Sequence, residues 1–139
     1  EQLKKLSIIK NYIKINENSL LLDVGCGTGI SSEFNCNAVG IDNSIMLLKI
    51  NKNKNKILGN AENLPFKDNV FDFVISITAL HNFDDIEKSL KEIKRVGKNN
   101  FIFSILKNSK KFKYIKNKIN KNFKISKIIE EDKDILFFV

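Results

Sequence analysis

Leu3, Leu6, Ile9 and Ile13 recur at three- and four-residue steps, which predicts an amphipathic helix over about residues 2–15. Ser19 to Val24 is a continuous apolar run closed by an acid and then by glycines, the pattern of a strand buried on both faces of a parallel sheet. Ala38 to Ile41 ends at Asp42, and Lys56 to Leu58 ends at Gly59-Asn60. Phe71 to Ile77 and Phe101 to Leu106 are richer still in β-branched and aromatic residues. Between Asp84 and Val96, Ile86, Leu90 and Ile93 share one helical face, while Glu87/Lys91 and Lys88/Glu92 pair at i,i+4. Asp84 and Asp85 read as N-caps of that helix.

Alternating strands and helices predict βαβ units with right-handed crossovers, hence an α/β fold with a doubly wound, mostly parallel sheet. A Lys-rich segment from Ser109 to Asn122 fits a further helix carrying Phe112, Ile115 and Ile119. The tail breaks the rhythm. Phe123 to Ile129 and Ile135 to Val139 are strand-like runs separated only by Glu130 to Asp134, too short for a crossover helix, so they predict an antiparallel hairpin at the sheet edge. No internal repeat or linker interrupts the chain, and one domain over residues 1–139, with residues 1–16 as a lead-in helix, is the expectation.

Composition narrows the picture. At 42% hydrophobic and 29% charged, with 1 Pro and 6 Gly, the chain is neither disordered nor fibrous. No apolar run approaches the roughly 20 residues that cross a bilayer. Residues 1–16 have no signal-peptide core, so a cytoplasmic location is expected by default. The net charge of +8 invites a polyanion partner, yet Lys, Asn and Ile are enriched together, as an AT-rich genome would produce, and Arg occurs once. A solvated lysine surface is the preferred reading. The stretch Lys107 to Lys127, nine lysines without an intervening acid, is the one to test for polyanion binding. Cys26, Cys36 and His81 are too few and too dispersed for a zinc or iron–sulfur site, and no metal is expected.

The chemistry concentrates in Leu-Leu-Asp-Val-Gly-Cys-Gly-Thr-Gly, residues 21–29, directly after the first buried strand. Gly25, Gly27 and Gly29 let the backbone turn sharply and approach a ligand, with amides at the start of a following helix facing it. The spacing is G-x-G-x-G rather than the G-x-G-x-x-G of dinucleotide enzymes. Asp42 closes the second strand about 20 residues from the loop's start, where an acid can accept both hydroxyls of a ribose.

With these residues the sequence resembles the class I S-adenosylmethionine-dependent methyltransferases. Asp23 to Gly29 looks like that family's first motif and Gly40-Ile41-Asp42 like its second-strand acid. Gly59 to Phe66 is similar to the adenine-side loop. Phe71 to Ser76 with Ala79-Leu80-His81 is similar to the fourth-strand motif of the ubiquinone/menaquinone and tRNA-wobble-modifying branch. The resemblance implies a Rossmann-like fold, S-adenosylmethionine as cofactor and S-adenosylhomocysteine as product.

Carried across position by position, it implies that Gly25 to Gly29, with Asp23 and Cys26, hold the methionine moiety and Asp42 the ribose. Asn60 and Ala61 would bracket the adenine edge, Asn43 stands where a residue packs on the ring, and Glu62, Ser76 and Ile77 complete the cofactor-binding set. The family commonly has Asp at the place of Asn60 and an apolar residue at that of Asn43; Ile45, Met46 or Leu47 could cover the ring instead. The Gly97-Lys98-Asn99-Asn100 turn is shorter than the family's usual connection. Asp23 is expected to orient the loop, and Cys26 to be a small loop residue rather than a nucleophile. His81 is the candidate general base; the alternative is that it packs against or caps the loop.

Ser76-Ile77-Thr78-Ala79 is not the Asn/Asp-Pro-Pro-Tyr segment that the family uses on exocyclic base or glutamine nitrogens. This lowers the expectation for those nitrogen substrates and leaves the acceptor open among oxygen, carbon or sulfur atoms, on a small metabolite or an already modified tRNA base. No insertion is large enough for a substrate lid, so the acceptor pocket is open or completed by an activating protein partner. The rivals are another enzyme on the scaffold, such as an aminopropyltransferase or nucleotide-dependent oxidoreductase, whose residue patterns are absent, and a catalytically silent or partner-dependent subunit that binds the cofactor or nucleic acid.

Overall fold

Strand β1 (Leu20–Val24) has two buried faces because its residues alternate between two cores. Leu21 packs in a cluster with Leu6, Ile9 and Phe73, whereas Leu22 and Val24 join Ile41, Val74 and Leu90. The computed structural model describes residues 2–139. In chain order β1 follows α1 (Gln2–Tyr12) and precedes β2 (Asn37–Asp42), α2 (Ile45–Ile50), β3 (Lys56–Leu58) and β4 (Phe71–Ile77). Then come α3 (Ile86–Val96), β5 (Gly97–Leu106), α4 (Phe112–Asn122), β6 (Lys127–Glu130) and β7 (Asp134–Phe138).

The seven strands form one sheet in the order β3-β2-β1-β4-β5-β7-β6. The first five positions are parallel; β7 runs antiparallel to both β5 and β6. The tail hairpin is therefore present, with β7 inserted beside β5 and β6 at the edge. Strand order reverses at β1, which has β2 on one side and β4 on the other, and the crevice outside that point is where open α/β sheets bind ligands. Helices α3 and α4 cover one face through Leu90, Ile93, Val96, Ile115 and Ile119. Helix α1 covers part of the other through Leu6 and Ile9.

Four local expectations need correction. The winding is thin: only a 3-10 turn at Ile30–Glu33 lies between β1 and β2, because twelve intervening residues, three of them glycines, cannot return a helix. Gly97 to Asn100 is not a turn but the first part of β5, tied to β4 where Lys98 Nζ donates to Asp72 Oδ1 (3.1 Å) and Asn100 Nδ2 to Asp72 O (3.2 Å). Asp85 alone caps α3, its side chain accepting from the Lys88 amide at 3.0 Å. Helix α1 ends at Tyr12 and turns a different side inward, leaving Leu3 72% exposed and Lys5 buried; Glu1 lies outside the described residues.

Lys5 faces the core because its charge is met there. Its ammonium lies 2.6 Å from Asp134 Oδ2 and donates to Thr78 Oγ1 at 2.9 Å. Thr78 Oγ1 is in turn 2.9 Å from Ser104 Oγ. This pins α1 to the ends of β4, β5 and β7. Removing one partner of a buried pair strands the other charge, at a cost of about 3–5 kcal/mol. Urea unfolding should accordingly show Lys5→Met destabilised by about that amount, with much of the loss recovered in Lys5→Met/Asp134→Leu; equal stability of the single variant and the parent would refute the pairing.

Candidate functional site

Beyond Val24 the chain turns because β2 supplies its acceptors: the Gly25 and Cys26 amides both donate to Ile41 O, at 2.8 and 3.1 Å. Gly25 has φ +77°, and a Cβ there would stand 2.5 Å from Ala79 Cβ. Gly29, at φ +96°, leaves room for the side-chain amide of Asn51. Only glycine satisfies both conditions. The peptide groups on either side of the Gly27 Cα are gripped from two elements. Its N–H donates to Asp42 Oδ2 (2.8 Å), while Asp42 Oδ1 accepts the Ser44 amide (2.8 Å). Its C=O accepts Asn51 Nδ2 at 3.0 Å, and the same nitrogen lies 3.5 Å from Cys26 Sγ. Asn51 is the buried residue that ends α2.

The turn borders a cavity of about 460 Å³. Of the expected residues, Asp23, Gly25, Cys26, Gly27 and Gly29 line it from β1, and Asp42 and Asn43 from the end of β2. Ala61, Glu62 and Ile77 complete that set. Leu47 lines it too, while Ile45 and Met46 point away. Three candidates do not reach the wall. Ser76 is buried beneath it with Oγ donating to Val24 O (2.9 Å), Asn60 is exposed, and His81 sits half-buried in the 3-10 turn Leu80–Asn82. Thr78, Phe83 and Gln2 line the cavity without having been anticipated. Thr78 carries φ +54°, unusual for a β-branched residue, and both its amide and hydroxyl are held by the Ser104 network. Asn51 lacked any motif; its signal was only its place one residue beyond a short apolar helix.

Two carboxylates and a thiol share this corner. Burial, with the charge of Asp42 adding to it, pushes Asp23 up to about 7, and its Oδ2 is buried without a hydrogen-bond partner. Burial, then the charges of Asp23 and Asp42, pushes the Cys26 thiol up to about 12, so it is a small loop residue and not a nucleophile. Burial and the nearby Lys111 lower the His81 pKa against the opposing pull of Asp134. Among the described residues no group of three His, Cys, Asp or Glu side chains could hold a metal, and no helix is long and apolar enough to cross a membrane.

Residues 22–105, which hold the glycine turn, the whole of β2, β3 and β4 and most of β1 and β5, match the model of the "Methyltransferase domain". The chain belongs to this methyltransferase domain family. A relative from Methanocaldococcus jannaschii is 39% identical over 150 residues, covering 94% of this chain and 60% of its own length. Demethylmenaquinone methyltransferase of Corynebacterium kroppenstedtii is 38% identical over 84 residues (56% of this chain, 37% of the relative). The human protein named "Probable tRNA methyltransferase 9B" is 34% identical over 84 residues (58% and 18%). This methyltransferase domain thus spans 60% or less of the length of these relatives. In fold it matches a SAM-dependent methyltransferase from Aquifex aeolicus, with TM-score 0.78 at 17% identity over 96% of this chain and 87% of the other. It also matches a chain of the complex between the Haloferax volcanii Trm112 methyltransferase activator and a candidate methyltransferase (TM-score 0.76, 16% identity, 99% and 88%).

The raised pKa of Asp23 fixes the sign of a pH effect. The folded state favours its neutral form, so the contribution to stability is complete below the unfolded value near 4 and is lost as pH rises towards 7. A shift of this size corresponds to about 4 kcal/mol. Relative to Asp23→Asn, the parent should lose stability between pH 4 and 7 and then level off; parallel urea-unfolding profiles for the two proteins would contradict this.

Proposed function

We propose that this methyltransferase domain binds S-adenosylmethionine in the 460 Å³ cavity and transfers its methyl group to an oxygen, carbon or sulfur nucleophile. The acceptor atom belongs to a small metabolite or a modified tRNA base. The observation that carries this reading is the double grip on Gly27 by Asp42 and Asn51, which aims a strand-end carboxylate and a pre-formed glycine turn at one space. A nucleoside-bearing amino acid fits the donor set. Asp42 keeps lone pairs for ribose hydroxyls, Leu47 and Ala61 offer apolar wall to an adenine, and the unpartnered Asp23 Oδ2 is a counterpart for an ammonium group. When bound, the cofactor supplies a methyl group already activated on sulfur. The protein's share of an in-line displacement is to position the acceptor and exclude water.

Ile77, Thr78 and Phe83 border the acceptor side, and Thr78 is held there by hydrogen bonds that reach Lys5 and Asp134. His81 neighbours the wall residue Asn82 but does not itself line the cavity, so its place is to support the turn after β4, and reaching an acceptor proton would take a bridging water. The intact grip on Gly27 supports an enzyme over a silent scaffold. The likeness to the Haloferax chain supports a protein partner that completes the acceptor side.

Calorimetric titration with S-adenosylmethionine and S-adenosylhomocysteine tests the reading. Micromolar binding, about 8 kcal/mol, is expected for the parent and should be lost in Asp42→Ala. Asn51→Leu removes the amide that holds the Gly27 carbonyl and should weaken binding about tenfold, or about 1.4 kcal/mol. A folded parent that binds neither ligand would refute the proposed function.

A further inference from the structure

The net positive charge of this protein comes from one segment. Of 24 basic residues, nine lie between Lys107 and Lys127, where there is no acid; the other 118 residues carry 15 basic against 16 acidic side chains. Composition bias alone would spread the excess along the chain, so the segregation calls for a physical reading. Helix α4 occupies the middle of this segment and buries Ile115 and Ile119, which turns its remaining residues outward. Glu87 neutralises Lys118 and Lys121, at 2.9 and 3.1 Å. Lys110, Lys113, Lys116 and Lys124 are exposed and form no ion pair among the described residues.

The charged helix is also joined to the cavity. Lys111 Nζ donates to His81 O at 3.1 Å, which brings the start of α4 to the turn that follows β4. Lys111 and Tyr114 line a groove with Phe83, Ile86 and the carboxylates of Asp84 and Asp85, which leaves the phosphate-holding role to Lys110, Lys113, Lys116 and Lys124, and Phe83 is also part of the cavity wall. Tyr114 is 49% exposed; Lys118 Nζ lies over its ring, 5.4 Å from the centroid, and an incoming base would take the opposite face.

We infer that α4 and its flanks form an RNA-docking face, on which lysines hold phosphates and Tyr114 stacks on a base next to the methyl-transfer cavity. The lysines supply affinity without sequence reading, and the aromatic ring distinguishes a nucleic acid with unpaired bases from a bare polyanion. This rests on the proposed methyltransferase function and selects the RNA acceptor over the small metabolite.

The test is fluorescence anisotropy with a labelled unmodified tRNA transcript at several salt concentrations. Lys110→Glu/Lys113→Glu/Lys116→Glu should weaken binding at least tenfold and lower the salt slope by about 2–3, since each phosphate contact contributes about 0.7–0.9. Tyr114→Ala should weaken binding several-fold with the slope unchanged. S-adenosylhomocysteine affinity, measured by calorimetry, should stay within twofold in both variants; its absence from the parent would instead refute the cofactor reading. A control with the same charge change, Lys52→Glu/Lys54→Glu/Lys67→Glu, should bind RNA within threefold of the parent. The docking face is refuted if the parent does not bind the transcript, or if the control loses as much as the α4 variant. It is equally refuted if inorganic polyphosphate competes as well as RNA while Tyr114→Ala has no effect.

Discussion

The cavity exists because Asp42 holds two loops at once. Its carboxylate takes the amides of Gly27 and Ser44, which fixes the glycine turn after β1 and starts α2. Its backbone carbonyl takes the Gly59 amide at 3.0 Å, which sets the exit from β3 and hence the approach of Ala61 and Glu62. Charge-assisted hydrogen bonds from backbone amides are among the stronger ones available. Placing that acid on the last residue of a central parallel strand makes the turn as rigid as the sheet.

The same arrangement carries a cost close by. Asp23, one strand away, is buried in the field of the charge that organises the turn, offset in part by hydrogen bonding from Ser31 but with Oδ2 left unsatisfied. An unsatisfied buried polar atom costs about 1–3 kcal/mol. Thr78 adds backbone strain on the opposite wall. Both unfavourable features line the cavity, and both sit between two apolar clusters that bury the strands on either side. Stability is supplied by the sheet and its helices, and the surface that faces the cavity is left polar and incompletely satisfied.

The strands, the glycine turn and Asp42 were legible in the sequence because each rests on local order: continuous apolar runs, a glycine spacing and an acid at a strand end. The role of Lys5 was not, since helical periodicity placed Leu3 inward and gave no notice of Asp134, which comes 129 positions later. Asn51 was invisible for a related reason, as its partner is a carbonyl that any residue could have offered. Asn60 and Ser76 were assigned by position in a motif, but a side chain's direction within a loop or strand depends on what surrounds it. Ser76 meets the Val24 carbonyl before it can reach the cavity. Gly97 read as a turn, yet it is β5's first residue, held close to the Phe101 ring and Val74.

The loop between β3 and β4 shows how so thin a fold still builds a wall. No helix follows β3, so the segment that carries Ala61 and Glu62 has no crossover packing of its own. Helix α3 takes over that task through polar contacts. Glu92 Oε2 accepts the Leu64 amide at 2.8 Å, and Arg95, the single arginine, donates to Leu64 O (3.0 Å) and Phe66 O (2.7 Å). Glu92 Oε1 lies 2.8 Å from Arg95 Nε, and this bond holds the Glu92 carboxyl below its usual range. At the other end of α3, the Asp85 amide donates to Glu62 Oε1 at 3.1 Å. A planar, five-donor side chain can satisfy two carbonyls and two carboxylates together, which a lysine could not. In a chain that otherwise uses lysine for its basic residues, arginine stands where its fork is geometrically required, and the wall that carries Ala61 and Glu62 is stapled to α3.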